Sequence, residues 1–547
     1  MMGGPVVMAV TDMVLTGDNF PPDMTQPETM MHAGIFPRCQ AGLLVVLLCA
    51  GSAYAGNWEI EPRVSVAEIF SDNINLDDDN KEYDLVTEVT PGISIRGEGG
   101  RLSADIDYEM QNLIFLNETD ATGSNHQLDG RGNAELLRDL FFVDARAGIG
   151  QSLVSANRTI SNNNINNNSN RTDYYAYSLS PYLQNDFAGW AEGEFRYTYG
   201  EVKYDEDTVD DETENSYDAR MISGRKFGPL SWTATANHTT LDYSRSEGEA
   251  RDDEEFRNAE LNARYRISSL FSLIGTAGDA DNDYNTTDEI ENGSYWAVGG
   301  FIQPSRYYSF EAQKGNNLKT ATANVYPTRR TALTVTYRDR EVGLNPGEVW
   351  SGTFNHYTRR TNWQARYFED TTTQQQEILT RGGLTSIGID PVTGEANSNP
   401  QPGDLIVEVP LESTFSLTNE VFERKRGEGT FGMRGGKTGL RFTIFEERRE
   451  YQVSGREERV RGISGSINRR LAPRTNGILS GAYTRNLDDT RDSDFEDVYT
   501  FLRAEASREI SRKATGSVAY QFQMQDSNDN NRDYTENSLE ARLTVFF

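Results

Sequence analysis

The sequence predicts an all-β chain that crosses a membrane as a transmembrane antiparallel up-and-down β-barrel of about 24 strands, within a range of roughly 18 to 26. Three observations predict this fold. An export signal is followed by no apolar segment long enough for a membrane helix, polar and apolar residues alternate throughout, and short turns alternate with long polar loops up to Phe547.

An export signal lies at residues 30–55. Arg38 precedes an apolar run at residues 41–50, and a small-x-small site ends at Ala55. These are the parts of a secretory signal peptide, and the run is too short for a membrane helix of about 20 residues. We therefore predict cleavage after Ala55, and a single barrel domain over residues 56–547. The alternative is lipoprotein processing at Cys49, for which Leu48 is an unusually large preceding residue.

Residues 1–29 are unlike the start of a signal peptide because they are acidic. We interpret them as an upstream extension before a start at Met30 or Met31. The only two cysteines, Cys39 and Cys49, precede Ala55, so the predicted mature protein has neither disulfides nor thiolate metal sites.

Charge and hydropathy restrict the class of protein. The net charge of −31 argues against binding of nucleic acid or of an anionic inner-membrane surface. A mean hydropathy of −0.65 is too polar for a soluble core of this size. It suits a wide barrel whose interior faces water.

Alternation with a period of two is clearest at residues 102–110. One face carries Leu, Ala, Ile, Tyr and Met, whereas the other carries Ser103, Asp105, Asp107 and Glu109. Three carboxylates on one strand face require water on that side. By the same pattern the predicted lumen-lining residues are Asp105, Asp107, Glu109, Arg131, Arg146, Glu192, Glu194, Arg196, Glu260, Arg264, Arg266 and Arg542. Such charges either pair across neighbouring strands and stiffen the wall, or line a hydrated path for a hydrophilic solute.

Turns and loops alternate along the chain. Short turns are predicted at residues 97–100, 138–139, 227–229, 304–306, 327–330 and 471–474. Long polar loops are predicted at residues 157–171, 204–215, 279–292, 486–494 and 526–533, and the longest, at 381–411, is predicted to fold over one mouth. Short periplasmic turns and long extracellular loops are typical of outer-membrane barrels.

The last strand, residues 537–547, alternates and ends in an aromatic residue. We interpret Phe547 as the signal that the barrel insertion machinery recognises. Because strands begin at Trp58, no plug domain is predicted ahead of the barrel, and no helical repeat is visible.

Residues 61–76 and 84–93 resemble the opening of the outer-membrane β-barrel proteins associated with the PEP-CTERM/exosortase system. That family is related to β-barrel porins encoded with exopolysaccharide clusters. The resemblance implies a porin-like channel of the Gram-negative outer membrane that assists export of exopolysaccharide or another hydrophilic polymer, and it implies no catalytic residues. The expected partners are membrane lipid and lipopolysaccharide, the barrel insertion machinery, exopolysaccharide and a periplasmic export component, with no cofactor and no nucleic acid.

Two alternative functions remain open at this stage. Acidic stretches such as residues 205–214 favour an adhesive or structural surface barrel, and they are interpreted as solvated loops rather than calcium sites because a calcium loop's regular spacing and glycine are missing. An outer-membrane enzyme is the third hypothesis, although His126, His238 and His356 lack metal-ligand spacing and no nucleophile motif accompanies them.

Overall fold

The computed structural model describes residues 56–547 except 157, 162, 167–169, 206–208, 245–252, 288, 382–385, 390–395, 398–404, 409–414, 491–492 and 529. Its main feature is a closed barrel of 24 strands in which every neighbouring pair is antiparallel, which confirms the predicted fold. The predicted extension and signal, residues 1–55, lie outside the described residues. No helix among the described residues is long and apolar enough to span a membrane.

The first twelve barrel strands are β1 Asn57–Ser71, β2 Asp84–Glu98, β3 Leu102–Phe115, β4 Gly123–Leu137, β5 Phe141–Leu153, β6 Arg171–Asp186, β7 Ala191–Tyr204, β8 Asp211–Ser223, β9 Leu230–Ser244, β10 Glu254–Arg266, β11 Phe271–Asp283 and β12 Gly293–Ser305. The next five are β13 Tyr308–Asn316, β14 Leu318–Thr328, β15 Thr331–Arg340, β16 Gly347–Tyr357 and β17 Thr361–Thr372. After a long connection follow β21 Phe422–Arg434, β22 Thr438–Tyr451, β23 Glu457–Ala472, β24 Thr475–Thr490, β25 Ser493–Ser511, β26 Ala514–Ser527 and β27 Tyr534–Phe546.

The ring closes where β1 pairs with β27, in a register that sets Arg63 opposite Phe546 and Ser71 opposite Ser538. Every other barrel strand pairs with its neighbours in chain order, and β17 pairs directly with β21. Closure leaves no unpaired strand edge, which is the condition for a sheet to cross a lipid bilayer.

The two faces of each strand differ in the way that the alternation predicts. On β3, Leu113 and Phe115 are buried on the inner face, whereas Ile114 between them is 51% exposed on the outer face. On β25, Phe501 is buried and the adjacent Leu502 is 48% exposed. Large exposed apolar side chains recur in this way around the outer wall, where they would contact lipid.

The connections at the two ends of the barrel differ in length. At the turn end, where β1 begins and β27 ends, eleven connections span two to six residues each. The other connections lie at the loop end and are mostly longer, although Asn317 alone joins β13 to β14. Three predicted loops are wrong in extent. Residues 486–494 are mostly strand, since only residues 491–492 separate β24 from β25. β8 already begins at Asp211 within the predicted loop 204–215, and β11 continues to Asp283 within the predicted loop 279–292.

The connection between β17 and β21 contains the helix α1, Gln374–Arg381, and a small antiparallel sheet. That sheet consists of β18 Ser386–Ile389, β19 Ala396–Asn397 and β20 Leu405–Glu408. The predicted longest loop, residues 381–411, coincides with this region and lies largely outside the described residues.

Buried apolar residues form separate clusters at the loop end of the interior. One cluster contains Phe415, Phe445 and Tyr499, and another contains Leu379 with Tyr174 and Val202. The expectation that the barrel interior faces water therefore does not hold at this end. The reason is that the described residues of 154–166, together with 374–381 and 415–421, lie within the barrel and pack against its inner wall.

Candidate functional site

All twelve residues predicted to line the lumen lie on the inner face of their strands. The inner face is identified by its buried residues, such as Thr198 and Val202 on the face of β7 that carries Glu192, Glu194 and Arg196. Residues paired across strands point to the same side, so Asp105 opposite Arg131, and Arg131 opposite Arg146, share that face. The charges therefore form part of one continuous inner wall.

Most of these charges are paired with each other or with inner-face residues that the sequence interpretation did not single out. Arg63 on β1 binds Asp107 at 2.5 Å and Glu109 at 2.6 Å, and its side chain is 14% exposed. Arg96 on β2 binds Asp105 at 3.2 Å. These contacts stiffen the wall between β1 and β3. They agree with the interpretation that the lumen charges pair across neighbouring strands.

Charged residues elsewhere on the wall follow the same principle. Arg196 binds Asp144 at 2.6 Å and Glu194 at 3.1 Å, and its guanidinium lies 3.9 Å from the ring centre of Tyr182. Further pairs are Arg131 with Asp129 at 3.3 Å, Arg264 with Glu311 at 2.7 Å, and Arg542 with both Glu88 and Glu540 at 2.6 Å.

Glu260, Glu192 and Arg266 form no such ion pair within the described part of the chain. Glu260 accepts a hydrogen bond from the Tyr295 hydroxyl at 2.8 Å. Glu192 and Arg266 lie near the turn end. The turn end of the lumen thus offers charges of both signs to a solute.

The helix α1 lies inside the barrel at the loop end and is held on one side by ion pairs. Glu377 binds Arg424 on β21 and Arg449 on β22, the latter at 2.7 Å. Arg424 also binds Asp370 at 2.5 Å, and Arg449 binds Glu447 at 2.7 Å. Because the three side chains of Glu377, Arg424 and Arg449 are each no more than 10% exposed, these contacts are shielded from solvent.

The other side of α1 is apolar and contacts the opposite part of the wall. Leu379 belongs to the cluster with Tyr174 and Ala176 on β6 and Val202 on β7. A Cβ atom at Gly200 on β7 would lie 3.0 Å from a Leu379 methyl, so glycine allows the close approach. The strands β6 and β7 are eleven positions around the ring from β17 and β21, so the helix bridges nearly opposite walls.

A small, partly open cavity lies between α1 and the wall formed by β4, β5 and β6. Arg131 and Arg146 line it from the wall, and Ile378 and Leu379 line it from the helix. Arg131 and Arg146, which were predicted to line the lumen, therefore face the helix α1 across this cavity.

A second internal segment follows β5. The backbone N–H of Ile160 donates to the Gln525 side chain at 2.8 Å, and its carbonyl accepts a hydrogen bond from the Tyr534 hydroxyl. Asn166 donates to Glu536 at 2.9 Å. These bonds attach the segment to the inner faces of β26 and β27.

The two internal segments also bind each other. The backbone N–H of Ala156 donates to the Ser416 hydroxyl at 2.9 Å, and the N–H of Leu417 donates to the Val154 carbonyl at 3.1 Å. Together they extend from β26 and β27 across the interior to β6, β7, β21 and β22. We call this pair of segments, residues 154–166 and 374–381 with 415–421, the internal plug.

The sequence interpretation missed the residues that hold the plug. Glu377 is a lone carboxylate after three glutamines, and Arg424 and Arg449 lie in mixed-charge runs of a kind that also occurs on other strands, such as β10. Their partners are 47 and 72 residues away along the chain, so no local pattern marks them. The runs of arginine on adjacent β21 and β22 are the only sequence signal for a concentration of positive charge there.

Neither the histidines nor the carboxylates assemble a chemical centre among the described residues. His126, His238 and His356 lie on the outer face and bind Tyr108, Glu255 and Thr331, respectively. No group of three histidine, cysteine, aspartate or glutamate side chains in the described ranges is arranged to hold a metal ion. The acidic stretch 205–214 was predicted to be a solvated loop. Two of its carboxylates, Glu212 and Glu214, are instead buried on the inner face of β8.

No family model and no curated protein matches the sequence. Solved structures match at low identity. The siderophore receptor PirA from Acinetobacter baumannii is 10% identical, with 89% of this chain and 80% of that chain covered and a TM-score of 0.44. The F3-3 variant of the FrpB iron transporter from Neisseria meningitidis is 10% identical, with coverage of 90% and 82% and a TM-score of 0.46. OmpT, an outer-membrane protein of Vibrio cholerae, is 9% identical, with coverage of 61% and 98% and a TM-score of 0.24.

Proposed function

We propose that this protein is a gated channel of the Gram-negative outer membrane that passes a hydrophilic polymer, with exopolysaccharide as the cargo class. The observation that carries the proposal is the internal plug. A lumen lined by charged and polar side chains leads from the turn end to a barrier built from the chain's own residues, and this barrier is attached by side-chain contacts rather than by a strand of the barrel.

The outer wall supports the membrane location. Apolar side chains such as Ile114, Phe195 and Leu502 are about half exposed on the outer face, whereas the neighbouring inner-face residues are polar or buried. In water this surface would be an aggregation hazard, and in lipid it is the expected exterior of a closed barrel. From the short turns and the long loops we infer that the turn end lies on the periplasmic side.

The contacts of the plug support a gate rather than a permanent wall. Residues 373–421 leave the barrel at β17 and return at β21, and these strands pair directly, with Thr372 opposite Phe422. The plug can therefore change position without breaking the ring of hydrogen bonds. Its ion pairs stabilise the closed position, and a ligand or partner that competes for them would shift the equilibrium toward the open one.

The mixed signs of the lumen charges favour an uncharged or zwitterionic polymer over a strongly charged one. Paired charges such as Arg196 with Asp144 and Glu194 present hydrogen-bonding groups with little net field. Sugar hydroxyls bind such groups readily because each is both a donor and an acceptor.

Planar-bilayer conductance of the purified protein tests the proposal. Replacement of residues 374–420 by a short glycine-serine turn is expected to convert a closed protein into a stable, wide conductor. The matched control deletes only residues 382–414, which leaves both packed parts of the plug in place, and it is expected to stay closed. Neutral dextran added at the turn end should block the current through the open variant. Dextran sulfate, which is strongly charged, should block this current more weakly.

A barrel that remains sealed after removal of residues 374–420 would rule out the channel. If that variant conducts but its gene does not support polymer release in cells, the channel stands and the cargo class is wrong.

An adhesive surface protein is the second candidate, and the charge of the loop end favours it. The connections at that end contain 29 acidic and 8 basic residues. Neutralising exposed loop carboxylates should abolish attachment without altering conductance if this function is correct, whereas the channel proposal expects no loss of polymer release.

A further inference from the structure

The turn end carries the opposite charge from the rest of the protein. Its eleven connections contain thirteen basic residues and one acidic residue, although the whole chain has a net charge of −31. The basic residues are Arg101, Arg138, Arg225, Lys226, Arg306, Arg329, Arg330, Arg359, Arg360, Lys437, Arg474, Arg512 and Lys513. We call this set the basic rim.

All thirteen side chains of the basic rim belong to exposed residues. Arg138 contacts the single acidic member of the turns, Asp139, at 3.5 Å, and both side chains are at least 80% exposed. The other twelve form no ion pair within the described part of the chain. Their charge is therefore not used to hold the barrel together, in contrast to the arginines of the lumen.

Two cations of the rim lie beside exposed aromatic rings. The Lys226 ammonium lies 5.4 Å from the ring centre of Trp190, and the Arg306 guanidinium lies 4.9 Å from that of Tyr307. Trp190 is 54% exposed and Tyr307 36% exposed at the lower edge of the outer wall. Aromatic rings in this position mark the level of the lipid headgroups, so the cations beside them lie at the same level.

The turns are too short to carry these cations away from the membrane. Arg329 and Arg330 form a two-residue connection, as do Arg512 and Lys513, and Arg359 and Arg360 belong to one of three residues. The rim is also distributed: each of the six consecutive turns from β12 to β26 contains at least one basic residue and no acidic residue. A ligand that covers this half of the circumference must follow the perimeter, as a layer of lipid does and a single globular partner does not.

We propose that the basic rim binds anionic phospholipid headgroups of the membrane leaflet at the turn end. Phosphate oxygens accept charge-assisted hydrogen bonds from arginine and lysine, and clusters of such residues at a membrane surface attract anionic lipid. The binding fixes the depth of the barrel in the bilayer and holds the acidic loop end away from the same leaflet. It does not depend on the proposed channel function.

Spin-labelled lipids test the proposal. The relative association constant of phosphatidylglycerol against phosphatidylcholine is measured by electron paramagnetic resonance for the full-length mature barrel in phosphatidylcholine vesicles. We expect a preference for phosphatidylglycerol that is lost in about 0.5 M salt, because screening is then short-ranged. The rim variant neutralises six residues: R329Q, R330Q, R359Q, R360Q, R512Q and K513Q. Its relative association constant for phosphatidylglycerol should fall by roughly tenfold or more compared with that of the wild type.

A matched control neutralises six exposed carboxylates at the loop end, D78N, D79N, E82Q, D120N, D283N and E289Q. It should keep the wild-type preference, and heat-modifiable migration on gels verifies that both variants are folded. Equal association constants for wild type and rim variant would overturn the proposal. So would a wild-type protein without lipid preference that instead binds an acidic soluble protein or an anionic polysaccharide through the rim.

Discussion

Replacement of Glu377 by glutamine isolates the contact that holds the plug to β21 and β22. The change keeps the shape of the side chain and removes its charge, so that Arg424 and Arg449 lose one carboxylate each. Arg424 keeps Asp370, and Arg449 keeps Glu447. Neither arginine is left without a partner, and we therefore expect the lower end of the cost of breaking a buried ion pair, about 3 kcal/mol.

We expect this free energy to act on the closed position of the plug and not on the barrel, because β17 and β21 pair directly with each other through their backbones. A cost of about 3 kcal/mol corresponds to a rise of roughly 100-fold in the ratio of open to closed channels. Single-channel recording in planar bilayers measures that ratio directly. The thermal unfolding of the barrel should change far less than the open probability.

The matched control is Glu423→Gln. Glu423 pairs with Lys425 at 2.9 Å, but these side chains are 28% and 38% exposed, and such pairs contribute about 1 kcal/mol or less. An E377Q protein with the open probability of wild type would refute the assignment of Glu377 as the residue that keeps the plug closed. A parallel loss of barrel stability in E377Q would refute the separation of plug and wall.

Three further predictions use other contacts. Gly200→Val should force Leu379 away from β7, because a Cβ atom at position 200 would lie 3.0 Å from the Leu379 side chain. The displacement should raise the permeability of cells to large antibiotics. Gly132→Val is the control, because a Cβ atom at position 132 has no neighbour closer than 3.7 Å. Arg63→Gln should lower the free energy of unfolding in urea by roughly 2 kcal/mol, because Asp107 and Glu109 then repel each other. Adding Asp107→Asn should restore part of that loss. If the free-energy changes of the two substitutions were simply additive, Arg63 and Asp107 would not be in direct contact. Phe547→Ala should reduce the amount of assembled barrel in membranes yet leave the stability of folded protein within about 0.5 kcal/mol, since Phe547 is 66% exposed; a large drop in unfolding temperature would show a structural role instead.

The barrel and the faces of its strands could be predicted because both depend on local patterns. The alternation of Asp105 and Asp107 with Ile106 sets the inner and outer sides of β3 without reference to any distant residue. The spacing of short turns sets the number of strands. This information is repeated along the whole chain, so errors at single positions have little effect.

The extent of the loops could not be predicted from polarity. Residues 486–494 are polar, yet β24 and β25 run through most of them, and β25 is 19 residues long. A strand needs only about 9 to 11 residues to cross the bilayer. Strands that continue beyond the membrane carry the composition of loops, and their hydrogen bonds to a neighbouring strand leave no mark in a single sequence.

The plug could not be predicted because it depends on contacts between distant residues. Phe415, Phe445 and Tyr499 meet in one cluster, although each alone has the ordinary composition of a strand or loop. The sequence indicates that residues 381–411 are unusual in length and in glycine and proline, but not that the parts on either side enter the barrel.

The pairing of β1 with β27 sets the order of events in biogenesis. Arg63 and Phe546 are neighbours in the sheet but are separated by almost the full length of the barrel sequence. Until the final strand has been made, every incomplete sheet has two unpaired strand edges. Each edge can pair with a strand of a second copy or with a misplaced hairpin. The barrel can therefore close only after the whole of its sequence has been synthesised, because its first and last strands must pair with each other.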